Sequence, residues 1–298
     1  MNTKQVLTAL LLAVVTSWSL TQTAAAQTTG PDKGALVIVG GGAIPPDIWS
    51  RFIDLAGGAA NARIVVIPTA GDDSTLNASG QRTQKRLTEL GVANVTLLHT
   101  RDPKQANQAS FVAPLKTATA VWFEGGRHWR LADSYLNTLA HNEFNALLNR
   151  GGVIGGTSAG ATILGSFMVR GDTKGNSIMV GDHTEGLAFA RNLTIDQHVL
   201  RRNRQFDLID VIKARPDLLG IGIDESTAVV VQKNTFEVIG NSFVGIYDIN
   251  QINSSQKYPS GQNSTGGPFY FLGKGQQFDL QARKVINQPA PRPNEPAK

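Results

Sequence analysis

The run Gly155-Gly156-Thr157-Ser158-Ala159-Gly160-Ala161 follows the apolar pair Val153-Ile154 and precedes a segment, 162–168, that reads as helical. Gly156-x-Ser158-x-Gly160 has the form of a nucleophile elbow. Small flanking residues let such a serine sit at strained dihedrals, with its hydroxyl raised above a sheet and the next backbone N–H turned toward a developing oxyanion. The same letters also make an ordinary Gly-Ser loop, and it is the strand-turn-helix setting that favours chemistry. A serine nucleophile needs a base. Of the histidines at 99, 128, 141, 183 and 198, His198 ends the segment Thr194-Ile195-Asp196-Gln197-His198 and is followed by Arg201, Arg202 and Arg204, a concentrated anion-binding group. The bland alternative is a solvated basic turn with a histidine beside it.

Other chemistries are excluded or weak. The 298 residues contain no cysteine, which removes thiol nucleophiles, CxxC redox pairs, zinc-thiolate sites and disulfides. His183-x-Glu185 is the nearest approach to a metal-ligand pair, and no HExxH is present. Gly40-Gly41-Gly42 after the first apolar run hints at a dinucleotide fingerprint, but Pro45-Pro46 stands where the third glycine belongs. No cofactor is expected. The net charge of +5 is too small for a nucleic-acid surface on a chain of this size, and 41% hydrophobic with 17% charged residues describes a packed globular core.

The elements that position the serine alternate between two periods. Short β-branched runs at 35–39, 63–67, 95–99, 120–123 and 152–154 read as buried strands, and 47–55, 79–90, 105–115, 130–137 and 143–150 carry helical spacing. Such βα succession predicts a doubly wound, mostly parallel sheet with helices on both faces and ligand sites beyond the carboxyl ends of the strands. After residue 186 the texture changes. Strands at 193–195 and 228–231, a helix near 203–214 and hairpin-like pieces at 236–238 and 244–248 predict an antiparallel C-terminal extension.

Residues 1–26 read as an export signal: Lys4, an apolar stretch at 6–15, then Ala24-Ala25-Ala26 before Gln27. That stretch is about ten residues, half what a bilayer span takes, so a lasting membrane anchor is not expected. With no linker between 150 and 240, residues 27–287 read as one domain. Residues 253–267 read as a polar loop, and 288–298, with four prolines, as a disordered tail. A periplasmic or secreted location follows.

Gly125-Gly126 after a strand, Gly156-Thr157-Ser158-Ala159-Gly160, Asp196-Gln197-His198 with its arginines, and Gly222-Ile223-Asp224-Glu225-Ser226-Thr227-Ala228 together resemble the serine peptidases of family S51, cyanophycinases and aspartyl dipeptidases. The glycines at 40–42 and the run Gly275-Gln276-Gln277-Phe278-Asp279-Leu280 fit the cyanophycinase branch, over residues 34–285 in all. The resemblance implies a class I glutamine amidotransferase-like α/β fold. It makes Ser158 the nucleophile, His198 the general base, and the N–H groups of Gly126 and Ala159 the oxyanion hole. It places the orienting acid between serine and histidine, where Asp172 is favoured over Asp182 and Glu185. Arg127, Gln197, Arg202 and Arg204 are the expected substrate contacts, suited to the carboxylate of an acidic peptide or a β-aspartyl residue. The pattern departs from the branch at Arg127-His128, where an acidic residue and a glutamine are common, and at Asp207, where an arginine is expected. A non-catalytic binding protein on the same fold is the alternative, and a homodimer is left open.

Overall fold

A computed structural model describes residues 28–256 and 267–287. The expected export signal, residues 257–266 of the expected polar loop and the proline-rich tail lie outside those residues, while 253–256, read as loop, end a helix. The first strands fall where β-branched runs predict them: β1 (Ala35–Val39), β2 (Arg63–Ile67), β3 (Asn94–Leu97), β4 (Ala120–Phe123) and β5 (Val153–Thr157). They pair in parallel in the order β3-β2-β4-β5-β1. Between them run α1 (Pro46–Leu55), α2 (Leu76–Glu89), α3 (Pro103–Ala106), α4 (Ala109–Thr117), α5 (His128–Tyr135) and α6 (Leu139–Asn149). Pro46 opens α1 because the first helical position needs no N–H donor, and Asp102 caps α3 by accepting from the Lys104 N–H.

Strand residues alternate between two cores, as period-two side chains must. Val37, Val39, Ile64, Val66 and Trp122 pack with Trp49 and Phe52 of α1 and Leu87 of α2. Leu36, Ile38, Val65, Ile67, Val121 and Phe123 face the other way, against Phe111, Leu115, Phe144 and Leu147. Helices therefore cover both faces of a mostly parallel sheet, giving the α/β class read from the sequence.

The chain beyond β5 departs from the expected helix over 162–168. After α7 (Ala159–Thr162) it turns into a strand, β6 (Gly165–Phe167), which pairs in parallel with β7 (Ala190–Gln197). Gly165 opens β6 and lies close to the backbone of Leu193, where an added Cβ would be 2.9 Å from its carbonyl oxygen. Next come α8 (Asp207–Ala214), β8 (Leu219–Ile223), β9 (Thr227–Gln232), β10 (Thr235–Gly240), β11 (Val244–Tyr247), α9 (Ile249–Gln256), β12 (Tyr270–Leu272), β13 (Gln277–Asp279) and β14 (Lys284–Asn287). Strands β9, β10, β13 and β14 extend the first sheet antiparallel from β1, as the late texture suggests. The others form a second sheet, β12-β11-β8-β7-β6, that the sequence reading lacks. Its Leu193, Ile195, Ile221, Ile223, Val244 and Ile246 join the same core cluster as Ile38 and Phe123, so the two sheets are packed as layers of one core.

Candidate active site

Ser158 follows β5 with φ 55° and ψ −117°, the strained turn that an elbow requires. The flanking glycines are needed for close approach. A Cβ on Gly156 would lie 2.1 Å from the Gly160 carbonyl oxygen, and one on Gly160 would lie 2.2 Å from that of Phe123. The Ser158 hydroxyl is 2.9 Å from His198 Nε2, to which it donates, and His198 Nδ1–H donates to Glu225 Oε1 at 2.6 Å.

The topology explains why these three meet. Strand β7 pairs in parallel with β8, and Gln197 is the register partner of Ile223, so His198 and Asp224-Glu225 leave the sheet side by side. The end of β1 ties this pair to the elbow: the Val39 carbonyl accepts from Ser158 N–H at 3.1 Å and the Gly40 carbonyl from His198 N–H at 2.9 Å. Gly41 (φ 115°) and Gly42 (φ 70°) complete the seat. A Cβ on Gly41 would come within 2.2 Å of His198 Cε1, and one on Gly42 within 2.7 Å of Glu225 Oε2. The glycine run that hints at a nucleotide site thus forms the bed of the imidazole–carboxylate pair. Asp224 holds the following turn, accepting from the N–H groups of Leu200 and Arg201 at Oδ1 and from Ser242 Oγ at Oδ2.

Asp172 is not the partner of His198. Its Oδ1 accepts from the Lys174 N–H at 2.7 Å, closing a turn in the loop that follows β6. Asp182 accepts from Thr173 and pairs with His183, and Glu185 is exposed at a bridge to Phe167. The acid lies after the histidine because β8 follows β7 in the chain. Glu225 stands within a motif that carries the family resemblance, and a parallel pairing of its strand with the histidine's strand is the signal that would have found it.

The remaining expected residues separate into two groups. Gly125 lies against the serine, where an added Cβ would be 3.1 Å from Ser158 Cβ; Gly126 follows it in the chain and approaches the backbone of Ala70, and Ala159 opens α7 with one of its first N–H groups. Arg202 is exposed on the turn leaving His198, and Arg204 is half-buried behind it. Arg127 instead clasps the loop after β6, donating to the carbonyl oxygens of Asp172 and Thr173 at 2.8 and 3.1 Å. Gln197 is buried with its amide committed to His128 and Arg204. At the second departure from the family pattern, Asp207 accepts from Arg170 at 2.6 Å, while Arg170 grips buried Asp196 through two bonds of 2.7 and 2.8 Å.

The electrostatics suit a base. Burial lowers the His198 pKa below its ordinary 6.5, the hydrogen bond to Glu225 opposes this, and the charges of Arg202 and Arg204 lower it further. The imidazole is therefore neutral at pH 7 and ready to accept a proton. Among the described residues, no cluster of three His, Asp or Glu is arranged to hold a metal ion.

A strained strand-end serine bonded to an imidazole that is bonded to a carboxylate, on a mostly parallel α/β sheet, defines a serine hydrolase class of site. The sequence model of Peptidase family S51 matches residues 36–239, and the chain belongs to that family of serine peptidases. Cyanophycinase of Geminocystis herdmanii is 34% identical over 206 residues, 68% of this chain and 75% of its own length. Cyanophycinase of a Nostoc species is 30% identical over 267 residues, 85% and 88% of the two chains. The structure of a peptidase from an acI-B1 actinobacterium superposes with a TM-score of 0.62 at 25% identity, covering 84% of this chain and 98% of that one. A putative Peptidase E protein from Listeria monocytogenes shares the fold, with a TM-score of 0.51 at 17% identity over 70% of this chain and all of its own.

Proposed function

We propose that this peptidase hydrolyses β-aspartyl bonds of cyanophycin-like peptides through Ser158, His198 and Glu225. The observation that carries the reading is the continuous chain of contacts, 2.9 Å from Ser158 Oγ to His198 Nε2 and 2.6 Å from His198 Nδ1 to Glu225. Ser158 Oγ attacks the side-chain carbonyl carbon of the aspartyl residue as its proton passes to His198 Nε2. The N–H groups of Gly126 and Ala159 receive the oxyanion. His198 then protonates the departing amine, and water, deprotonated by the same imidazole, releases the acyl group. Glu225 keeps the imidazole in the Nδ1–H tautomer and stabilises the imidazolium. A β-aspartyl residue keeps its α-carboxylate free, and Arg202 and Arg204 stand on the turn beside His198 to meet it.

The test is a hydrolysis panel of cyanophycin, β-Asp-Arg, β-Asp-Lys and α-Asp-Arg, read by released amine. Cleavage of the β-linked members and sparing of the α-linked peptide is expected; the reverse preference overturns the substrate assignment. Export of the chain, with residues 1–26 removed, belongs to the same reading. Amino-terminal sequencing of protein recovered outside the cytoplasm should begin at Gln27, and a mature chain beginning at Met1 would refute it.

A further inference from the structure

A guanidinium offers donors only. Nη1 of Arg204 lies 3.2 Å from the Gln197 backbone carbonyl oxygen and 3.3 Å from its side-chain Oε1. This fixes the amide: Gln197 turns its oxygen to Arg204 and its NH2 the other way. There Gln197 Nε2 meets His128 Nε2 at 3.1 Å, with both side chains buried. An amide nitrogen donates and does not accept, so His128 Nε2 supplies the lone pair and the ring proton goes to Nδ1, a buried atom with no hydrogen-bond partner among the described residues, whose cost the Gln197–Arg204 contacts must outweigh. A protonated ring would set an N–H against the NH2. Burial first, then the charges of Arg170, Arg127, Arg204 and His198, hold the His128 pKa down to about 3, so the neutral ring that the contact demands persists across the ordinary pH range.

The place of this chain of contacts gives it a role. His128 opens α5 immediately after Gly125-Gly126-Arg127, and Gln197 immediately precedes His198. The contacts therefore run from the segment beside the nucleophile to the arginine turn, across the seam between the two sheets.

We propose that His128 is a positioning residue whose unprotonated Nε2 locks the Gln197 amide and, through its oxygen, aims Arg204 at the substrate carboxylate. The role of Arg204 rests on the proposed function; the tautomer and the lock do not.

Protein labelled with 15N-histidine and observed by long-range 1H–15N correlation should show His128 as the neutral Nδ1–H tautomer from about pH 5 to about pH 8, a range in which an ordinary histidine changes charge. A proton on Nε2, or a titration in that range, overturns the lock whether or not any peptide is cleaved. In kinetics on a β-aspartyl dipeptide, His128→Leu should raise KM about tenfold with kcat within about twofold. His128→Gln, whose side-chain oxygen can accept in place of Nε2, should recover most of that loss. Adding His128→Leu to Arg204→Ala should cost nothing more, since both act through one contact. Equal losses in the Leu and Gln variants, or losses that multiply with Arg204→Ala, would reduce His128 to packing. Independent of turnover, the Arg204 Nε–H resonance should shift or broaden in His128→Leu and stay in place in His128→Gln; an Arg204 signal unmoved in both refutes the aiming. If His128→Leu does not fold, the wild-type tautomer and the His128→Gln kinetics decide.

Discussion

Ser158 and His198 adopt the same unusual backbone dihedral, φ 55° in each, but the two sheets hold them by opposite means. The serine's surroundings are uncharged: a glycine-lined elbow in which backbone meets backbone at Gly156, Gly160 and Phe123. The histidine's surroundings are ionic. Glu225 bonds its ring, Asp224 holds the turn behind it, and Arg202 and Arg204 stand on that turn. Ser158 is thus held by close backbone contact alone, whereas His198 has ionic partners in addition to its glycine bed at Gly41 and Gly42, and the two mounts fail differently. A steric mount loses geometry when a methyl is added, whereas an ionic mount loses proton affinity when a charge is removed.

The largest effect expected on this comparison comes from the steric side. Ser158→Ala should lower kcat by about 10⁶-fold with the fold intact by circular dichroism, as loss of a triad nucleophile does elsewhere. Turnover near wild type would dismiss the elbow. Glu225→Gln should cost about 10⁴-fold, because the neutral amide no longer enforces the tautomer or stabilises the imidazolium. Asp172→Asn should stay within about threefold, since its carboxylate closes a local turn away from His198 and the amide oxygen can accept the same Lys174 N–H; similar losses in the two variants would show that the ionic mount does not centre on Glu225. Gly41→Ala tests the steric bed of His198: pushing the ring aside by about 1 Å should cost about 10²-fold in kcat/KM.

The smallest effect is a shift of the pH profile. His198 acts unprotonated, so kcat/KM is lost as pH falls through the free enzyme's His198 pKa. Burial and the two arginines place that limb below 6.5 despite Glu225. Arg202→Ala removes one lowering charge and should move the limb upward in pH, and a limb that moves down or stays would deny that the arginine turn tunes the base.

Much of this was legible in the sequence because it is local. The β-branched runs mark β1, β2 and β4 to the residue, and the elbow lies within five consecutive positions. What escaped is non-local. Glu225 becomes the acid only through the parallel pairing of β7 with β8, and no spacing between Ser158 and His198 contains that information. β6 was misread as helix because three residues of edge strand carry too little periodicity to outweigh the apolar letters around them. For Gly40-Gly41-Gly42 the sequence excludes a dinucleotide fingerprint through Pro45-Pro46 but does not say what approaches the glycines, because the letters record only the absence of side chains.

Consecutive carbonyls at the end of β1, those of Val39 and Gly40, anchor the serine and the histidine. The first strand of the fold is thus a common datum for residues that arrive much later in the chain. Contacts of such long sequence separation form slowly. A partly folded chain can complete the parallel sheet and its elbow while the imidazole and its carboxylate are still undocked. The proposed Ser158–His198–Glu225 contacts therefore need both sheets at once, and neither sheet alone assembles them.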